Sequence, residues 1–521
     1  MIDSRCASER NFFRLTGSAK PCNSLIIPVF CFLGRRRNQT DRLIKSASPI
    51  DRNHNGSEGN VYQEDTIAAV ATAAGEGGIG IIRLSGRQAE PIAGAIFKGI
   101  KGKTAVAIQS YQAAYGHIVQ PETGQAIDEV LLLMMRAPHS YTCEDVVEIH
   151  CHGGAVSLQR ILSLVLSQGA RLAEPGEFTK RAFLNGRLDL TQAEAVIDII
   201  RSKTDTSLKV AVNHLSGSLS QQIGAMRHKL LAMIAHLEAA IDFPEEDIEE
   251  LAASEVAVQV ADLLQEIGKL LSTAHTGRIL RDGLETVIIG KPNVGKSSLL
   301  NALIKENRAI VTDIPGTTRD VIEEYVNIQG IPLKIVDTAG IRETADLVEQ
   351  LGVERARSFV ERADLILLLL DASLPLTKED HEVLAMLSGR NALILLNKTD
   401  LPVCLDSEAI EAMVSGAAVY KISVHTGEGI PELEQAIVDA VYGGQVAMGE
   451  GIFVTNVRHE ALLDKARQSL EEVRHTIEVQ MPPDCIVVDL REAWERLGEI
   501  TGDTVHEDIV AEIFSQFCIG K

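Results

Sequence analysis

"LETVIIGKPNVGKSSLLNALI" (residues 284–304) runs from a β-branched, aliphatic stretch through a tight loop into a helix-forming stretch. Its centre, Gly290 to Ser297, fits G-x-x-x-x-G-K-[ST] in the strand–loop–helix setting that this phosphate-binding motif requires. Glycine lets successive backbone N–H groups curl around phosphate oxygens, and the helix N-terminus adds its positive end. Asn293, Val294, Gly295 and Ser298 complete the cradle. Lys296 is placed to reach the β- and γ-phosphates, and the Ser297 hydroxyl to ligate Mg²⁺. The stretch therefore predicts an α/β domain that binds a nucleoside triphosphate.

Working outward, "KIVDTAG" (334–340) puts Asp337 at the end of a second apolar strand. Asp337 suits the magnesium shell, and the turn Thr338-Ala339-Gly340 suits the γ-phosphate. "LILLNKTD" (393–400) supplies Asn397, Lys398 and Asp400 after a third strand. A carboxylate there accepts from guanine N1–H and its exocyclic amine, a donor pair that adenine lacks, so the wrong base leaves it unpaired. "ISVHTGEG" (422–429), with Ser423, falls where a last base-contacting loop belongs. Between them lies Thr312-Asp313-Ile314-Pro315-Gly316-Thr317-Thr318-Arg319. Thr318 is the natural second hydroxyl for Mg²⁺ in a switch loop, and Arg319 reads as an ordinary surface ion pair. Many GTPases follow this turn with a water-orienting Gln. Here the position is Ile341, so the water must be oriented by something else, a cation or an acid such as Glu343 or Glu349.

The chain has 521 residues, 45% of them apolar, enough for about three domains with real cores. Its formal charge of −22 excludes nucleic-acid binding by global attraction and leaves a local basic patch or a basic partner. Eight scattered cysteines do not read as a disulfide framework and fit a reducing, cytoplasmic setting. No apolar run reaches the roughly 18–20 residues of a membrane span, so no membrane partner is expected. "HCH" (150–152) lacks a second ligand pair at zinc spacing, and neighbours on a strand point to opposite faces. Residues 1–60 carry ten Lys/Arg against five Asp/Glu, a net of +5, leaving −27 for 61–521. They show no helical or strand period. A disordered extension or an early start codon is the expectation for 1–63, over an acid-poor transit peptide, with order beginning near Glu64.

Residues 64–185 alternate strands, turns and helices. Their Gly-rich "GEGGIGIIRLSG" (75–86) lacks the βαβ continuation of a dinucleotide site. Residues 186–281 and 445–521 carry apolar side chains at i, i+3, i+4 and i+7. The expected fold is α/β and α multidomain: an N-terminal α+β domain, then a discontinuous helical domain (186–281 and 445–521) into which a Ras-like P-loop GTPase domain (282–444) is inserted. Movement of the insert would then be felt by the bundle.

"DIPGTTRD", "DTAGIRET", the insertion between helices and the terminal Cys518-Ile519-Gly520-Lys521 together resemble the MnmE (TrmE) family of tRNA-modification GTPases over about residues 62–521. The resemblance implies K⁺-activated GTP hydrolysis coupled to modification of tRNA wobble uridine at C5. K⁺ would stand in for an arginine finger on Asn293, Thr312, the Ile314 carbonyl and Thr317. Glu349 would orient water, a choice over Glu343 that spacing alone does not make. It also implies a 5-formyl- or methylene-tetrahydrofolate donor held by Arg83, Glu144 and Arg187 of a dimerising N-terminal domain. Guanidinium groups suit folate carboxylates and a carboxylate suits pterin N–H donors. The implied assembly is a homodimer that meets an MnmG-type FAD protein as a heterotetramer, with tRNA as substrate. Two alternatives are an Era/EngA-like ribosome-assembly GTPase and a non-catalytic nucleotide switch. No second P-loop or basic G-x-x-G clamp supports the first.

The ending "FCIGK" could be mistaken for a prenylation box, but Gly520 and Lys521 violate its rules and the preceding segment is acidic. A lone cysteine is usually a buried core residue. The resemblance instead makes Cys518 a reactive thiol, with Lys521 near the one-carbon donor.

Overall fold

The computed structural model describes residues 65–102, 104–243, 253–306, 324–336, 362–414, 417–443 and 451–521. All of them belong to one compact unit, Val61–Lys521. The first strand, β1 (Ile67–Val70), starts three residues after Glu64. It pairs antiparallel with β2 (Gly77–Ser85). Helix α1 (Ala89–Ile96) leads to β3 (Phe97–Gly99), β4 (Gln112–Val119), β5 (Ala126–Met135) and β6 (Val146–Gly153). After α2 (Ala155–Ser167), β7 (Arg171–Leu172) closes the sheet, and α3 (Glu177–Leu184) follows. The strand order is β3-β4-β5-β6-β2-β1-β7, antiparallel except for β1–β7. The glycine-rich stretch thus forms a strand between two antiparallel neighbours, as its missing βαβ continuation implies.

Period-2 alternation gives this sheet two unlike faces. Ile82, Leu84, Leu132, Val147 and Ile149 pack against α1 and α2 in the main core. Cys151 lies on that side, where burial pushes its thiol up to about 11 and makes it a core residue. The other face carries Arg83 beside Glu148 in register, then His150.

Helices α4 (Leu190–Arg201), α5 (Asp205–Leu215), α6 (Ser218–Asp242), α7 (Ala253–Ser272) and α8 (Ala274–Asp282) come next. Asp189 caps α4: its carboxylate accepts from Gln192 N while the Gln192 side chain reaches back to the cap N–H. The chain then enters the nucleotide domain through β8 (Leu284–Ile289) and α9 (Lys296–Glu306). Strands β9 (Glu324–Ile328), β10 (Ile331–Ile335), β11 (Leu365–Asp371), β12 (Ala392–Asn397) and β13 (Ala418–Lys421) follow, with α10 (Lys378–Met386), α11 (Ser407–Met413) and α12 (Ile430–Tyr442). The sheet order is β13-β12-β11-β8-β10-β9, parallel except for the β9–β10 hairpin at its edge. Val287 and Ile289 point into one core and Ile288 into the other. Burial on both faces is why the opening stretch is a continuous apolar run rather than an alternating one.

The chain returns through α13 (Val457–Glu478), α14 (Pro483–Thr501) and α15 (Glu507–Ser515). Leu230 and Leu263 from before the insert share one core with Leu463, Leu470 and Leu490 from after it. Each fully buried aliphatic side chain there stabilises by about 1.5–3 kcal/mol, so the insertion leaves a single helical bundle.

Candidate functional site

The nucleotide loop leaves the C-terminal end of β8, the central position where ligands of open α/β sheets bind. Its turn is made by Gly290 at φ +145° and Gly295 at φ +110°, with Asn293 at φ +63° between them. A Cβ on Gly290 would meet the Leu369 carbonyl at 2.4 Å, and one on Gly295 the Asn397 amide nitrogen at 2.4 Å. The Lys296 ammonium lies in the curl, donating to the Gly290 and Lys291 carbonyls at 2.7 and 2.6 Å. Burial holds its pKa below the ordinary lysine value. Ser297 and Ser298 stand exposed in the first turn of α9.

Asn397 is buried and braces two loops. Its Nδ2 donates to the Val294 carbonyl at 2.7 Å, and its Oδ1 accepts from Val424 N at 3.1 Å. It thereby ties the phosphate loop to the "ISVHTGEG" loop, a structural task that the sequence reading missed. Lys398 pairs with Asp371 at 2.6 Å. Asp400 is exposed and accepts from Ser423 Oγ at 2.6 Å, a hydrogen bond that holds its carboxyl below the usual range. Asn397, Lys398, Asp400 and Ser423 thus meet beside the phosphate loop. Thr312, Asp313, Ile314, Pro315, Gly316, Thr317, Thr318, Arg319, Asp337, Thr338, Ala339, Gly340, Ile341, Glu343 and Glu349 lie outside the described residues.

A second constellation forms on the open face of the N-terminal sheet. Arg83 donates through Nε to Glu148 Oε1 at 2.9 Å, and through Nη1 to the Gly520 carbonyl at 3.2 Å. Its guanidinium lies 5.9 Å from the Tyr141 ring centre and 5.7 Å from that of Phe178. Arg187 stacks on Tyr141 at 4.7 Å and donates to the Tyr141 carbonyl at 2.9 Å. Glu144 accepts from Ser85 Oγ at 2.7 Å and from Arg181 at 3.2 Å. Arg181 Nε is buried without a hydrogen-bond partner. Burial pushes the Glu148 carboxyl up, but the hydrogen bond to His150 (3.1 Å) and the Arg83 charge outweigh it and hold it below the ordinary value.

The C-terminal tail closes this constellation. Ile519 bridges to Pro175, and Gly176 N donates to the Cys518 carbonyl at 3.4 Å. Gly520, at φ +93°, lies so close to β1 that a Cβ would stand 2.3 Å from the Val70 carbonyl. Only glycine fits. Lys521 is half-buried; desolvation first, and then the Arg83 charge, lower its pKa. Cys518 is exposed, unlike the buried core residue that a lone cysteine usually is. The structure thus brings Arg83 and Arg187 to Tyr141, seats Gly520 on Arg83 and the Cys518 carbonyl on Gly176 N, and holds Glu144 on Arg181. Tyr141, Glu148, His150 and Arg181 were missed. Strand alternation in "VVEIHCHG" puts Glu148 and His150 on the face opposite Cys151, the one sequence signal that could have found them.

Two family models agree with this architecture. The model of the MnmE helical domain matches residues 190–518, and that of the GTP-binding protein TrmE N-terminus matches residues 66–187. The tRNA modification GTPase MnmE of Geobacillus kaustophilus is 54% identical over 88% of this chain and 99% of its own length. That of Alkaliphilus metalliredigens is 52% identical over 88% of this chain and all of its own. Among solved structures, the FeoB G domain from Methanococcus jannaschii is 32% identical over 30% of this chain and 98% of that one, with a TM-score of 0.22. Identity at this level across the N-terminal, helical and nucleotide domains displaces the ribosome-assembly and switch-only readings, and the chain belongs to the MnmE family of tRNA-modification GTPases.

Proposed function

We propose that this GTPase controls a second, separate site at its C-terminal tail, where a tetrahydrofolate-type one-carbon donor serves modification of wobble uridine at C5. The observation that carries the reading is the seating of the Gly520 carbonyl on Arg83, whose guanidinium lies beside the Tyr141 and Phe178 rings. Arg83 and Lys521 offer charge to the donor's carboxylates, the Tyr141 and Phe178 rings offer planar surface, and Arg187 closes one side. Glu144 would accept from pterin N–H groups. Arg181 Nε, a buried donor without a partner, fits an anionic or carbonyl-bearing guest. The donor supplies the carbon unit; the chain orients it and holds the exposed Cys518 thiol beside it.

At the nucleotide site, Lys296 would exchange the Gly290 and Lys291 carbonyls for phosphate oxygens, and Asp400 with Ser423 would read guanine. Ser297, Thr318 and Asp337 would hold Mg²⁺, Asn293, Thr312, the Ile314 carbonyl and Thr317 would hold K⁺, and Glu349 would orient water. The exposed Asn293 at its left-handed turn and the exposed Ser297 hydroxyl fit hard oxygen-seeking cations. The domain boundaries at 64, 186, 282 and 445, a homodimer, a heterotetramer with an MnmG-type FAD partner, and a cytoplasmic location belong to the same proposal. Among the described residues no helix is long and apolar enough to cross a membrane.

The test is Cys518→Ser. GTP turnover in K⁺ should equal that of the parent while wobble-uridine modification is lost. Loss of both would make the tail a structural element, and normal modification would remove the thiol from the chemistry.

A further inference from the structure

One face of α4 carries three charged residues, Glu194, Asp198 and Arg201, at i, i+4 and i+7. Each holds a different part of the chain. Asp198 accepts from Arg281 Nε at 2.8 Å. Arg281 lies in the last turn of α8, and after Asp282 and Gly283 the chain is already β8 of the nucleotide domain. Glu194 accepts from Asn456 at 3.1 Å, from Arg458 at 2.9 Å and from His459 at 2.7 Å, where the chain has just returned from that domain. Arg201 donates through Nη2 to the Gln516 carbonyl at 2.9 Å, two residues before Cys518. The exit and the return of the insert are themselves in contact. A Cβ on Gly277 would stand 2.1 Å from the Val454 carbonyl, and Thr273 Oγ1 accepts from Val454 N at 3.0 Å. A further contact reaches the nucleotide sheet: Lys203, in the α4–α5 turn, lies 5.3 Å from the Tyr325 ring of β9.

We propose that Arg201 is a positioning residue for Cys518, and that the Glu194–Asp198–Arg201 face of α4 carries movement of the nucleotide domain to the tail. The proposal rests on Cys518 having a role in modification; its test does not. Glu194 is buried and Asp198 half-buried, each is paired, and separating such a pair strands a charge away from water. Rotation at the connection therefore takes α4 with it rather than breaking these pairs. Arg201, at the exposed end of the same face, passes that displacement to the Gln516 carbonyl. A helix is stiff along its length, so a shift imposed at Asp198 arrives at Arg201 one turn later.

The experiment follows the thiol, not the chemistry. In the full-length protein, the rate of Cys518 alkylation by a small maleimide is read by mass spectrometry on the C-terminal peptide after Arg496, which contains no other cysteine. It is measured with GDP and with a non-hydrolysable GTP analogue in K⁺. The parent should show different rates in the two states, by about two- to tenfold, the range one hydrogen bond can carry. Arg201→Ala should give one rate in both states with unchanged GTP turnover, and Arg201→Lys should restore part of the difference. Asp198→Asn should also equalise the rates, although it touches neither nucleotide nor tail. A parent with equal rates, or an Arg201→Ala protein that keeps the full difference, overturns the proposal. If Cys518→Ser modifies tRNA normally while the rate difference is present and lost on Arg201→Ala, the thiol reading fails and the coupling stands.

Discussion

Replacing Gly520 by alanine adds one methyl group, and the structure says where it goes. At φ +93° the backbone is in the left-handed region, where an L side chain costs about 1–2 kcal/mol. The new Cβ would stand 2.3 Å from the Val70 carbonyl, 0.7 Å inside the 3.0 Å that real contacts respect. Val70 belongs to β1, paired with Ile82 of β2 in a packed sheet, so the tail yields rather than the strand. When it does, the Arg83 bond to the Gly520 carbonyl goes with it, worth about 1.5–3 kcal/mol for a charged donor. The sum is about 2.5–5 kcal/mol, a shift of the tail from seated to released of at least roughly fiftyfold. Hydrogen exchange at residues 518–521 should accelerate accordingly, wobble-uridine modification should fall, and GTP turnover should stay at the parental value. Ile519→Ala, which trims an exposed side chain, is the control and should change none of these. A Gly520→Ala protein with parental exchange and parental modification would refute the reasoning.

Three further outcomes are expected. Burial pushes the Glu194 carboxyl up, but the neighbouring His459 and Arg458 outweigh it and bring it to about 2, against 4.5 ordinarily. Its stabilising contribution, about 3 kcal/mol, is therefore complete above pH ~4.5 and lost as pH falls toward ~2. Glu194→Gln should lower stability in urea at pH 7 by about that amount and flatten the slope between those values; an unchanged acid slope would show the pair to be unimportant. Gly295→Ala forces a Cβ against Asn397 Nδ2, in an amide whose Nδ2 is already held by the Val294 carbonyl and whose Oδ1 is held by Val424 N, so GDP affinity by calorimetry should fall at least about tenfold. Parental affinity would mean that the brace is dispensable. Finally, replacing K⁺ by Na⁺ should slow GTP turnover, and equal rates would remove potassium from the proposed function.

The nucleotide site was readable because its chemistry is local. A phosphate loop binds through consecutive backbone N–H groups, so one eight-residue spacing implies the whole cradle. Asp400 and Ser423 come from separate stretches, but each lies within three residues of the end of a strand. The helices were readable for a similar reason, since a 3.6-residue period shows within any two turns. The bracing role of Asn397 was not readable. It depends on the spatial approach of Val294 and Val424, which no spacing reports.

The second site belongs to the other category. Arg83 and Glu148 are 65 residues apart and meet only because β2 and β6 pair in that register; a slip of one residue would put them on opposite faces. Gly520 is 437 residues from the arginine that holds it. "FCIGK" by itself left an anchor, a core cysteine and a reactive thiol open, and family resemblance chose between them without showing where the tail goes. By its sequence alone this protein is a guanine-nucleotide domain inserted into a helical bundle, because motif and period are properties of neighbouring residues. The tertiary structure alone decided that Gly520 of the tail lies against the first strand, because that contact depends on how two distant segments pack and on a glycine that lets their backbones touch.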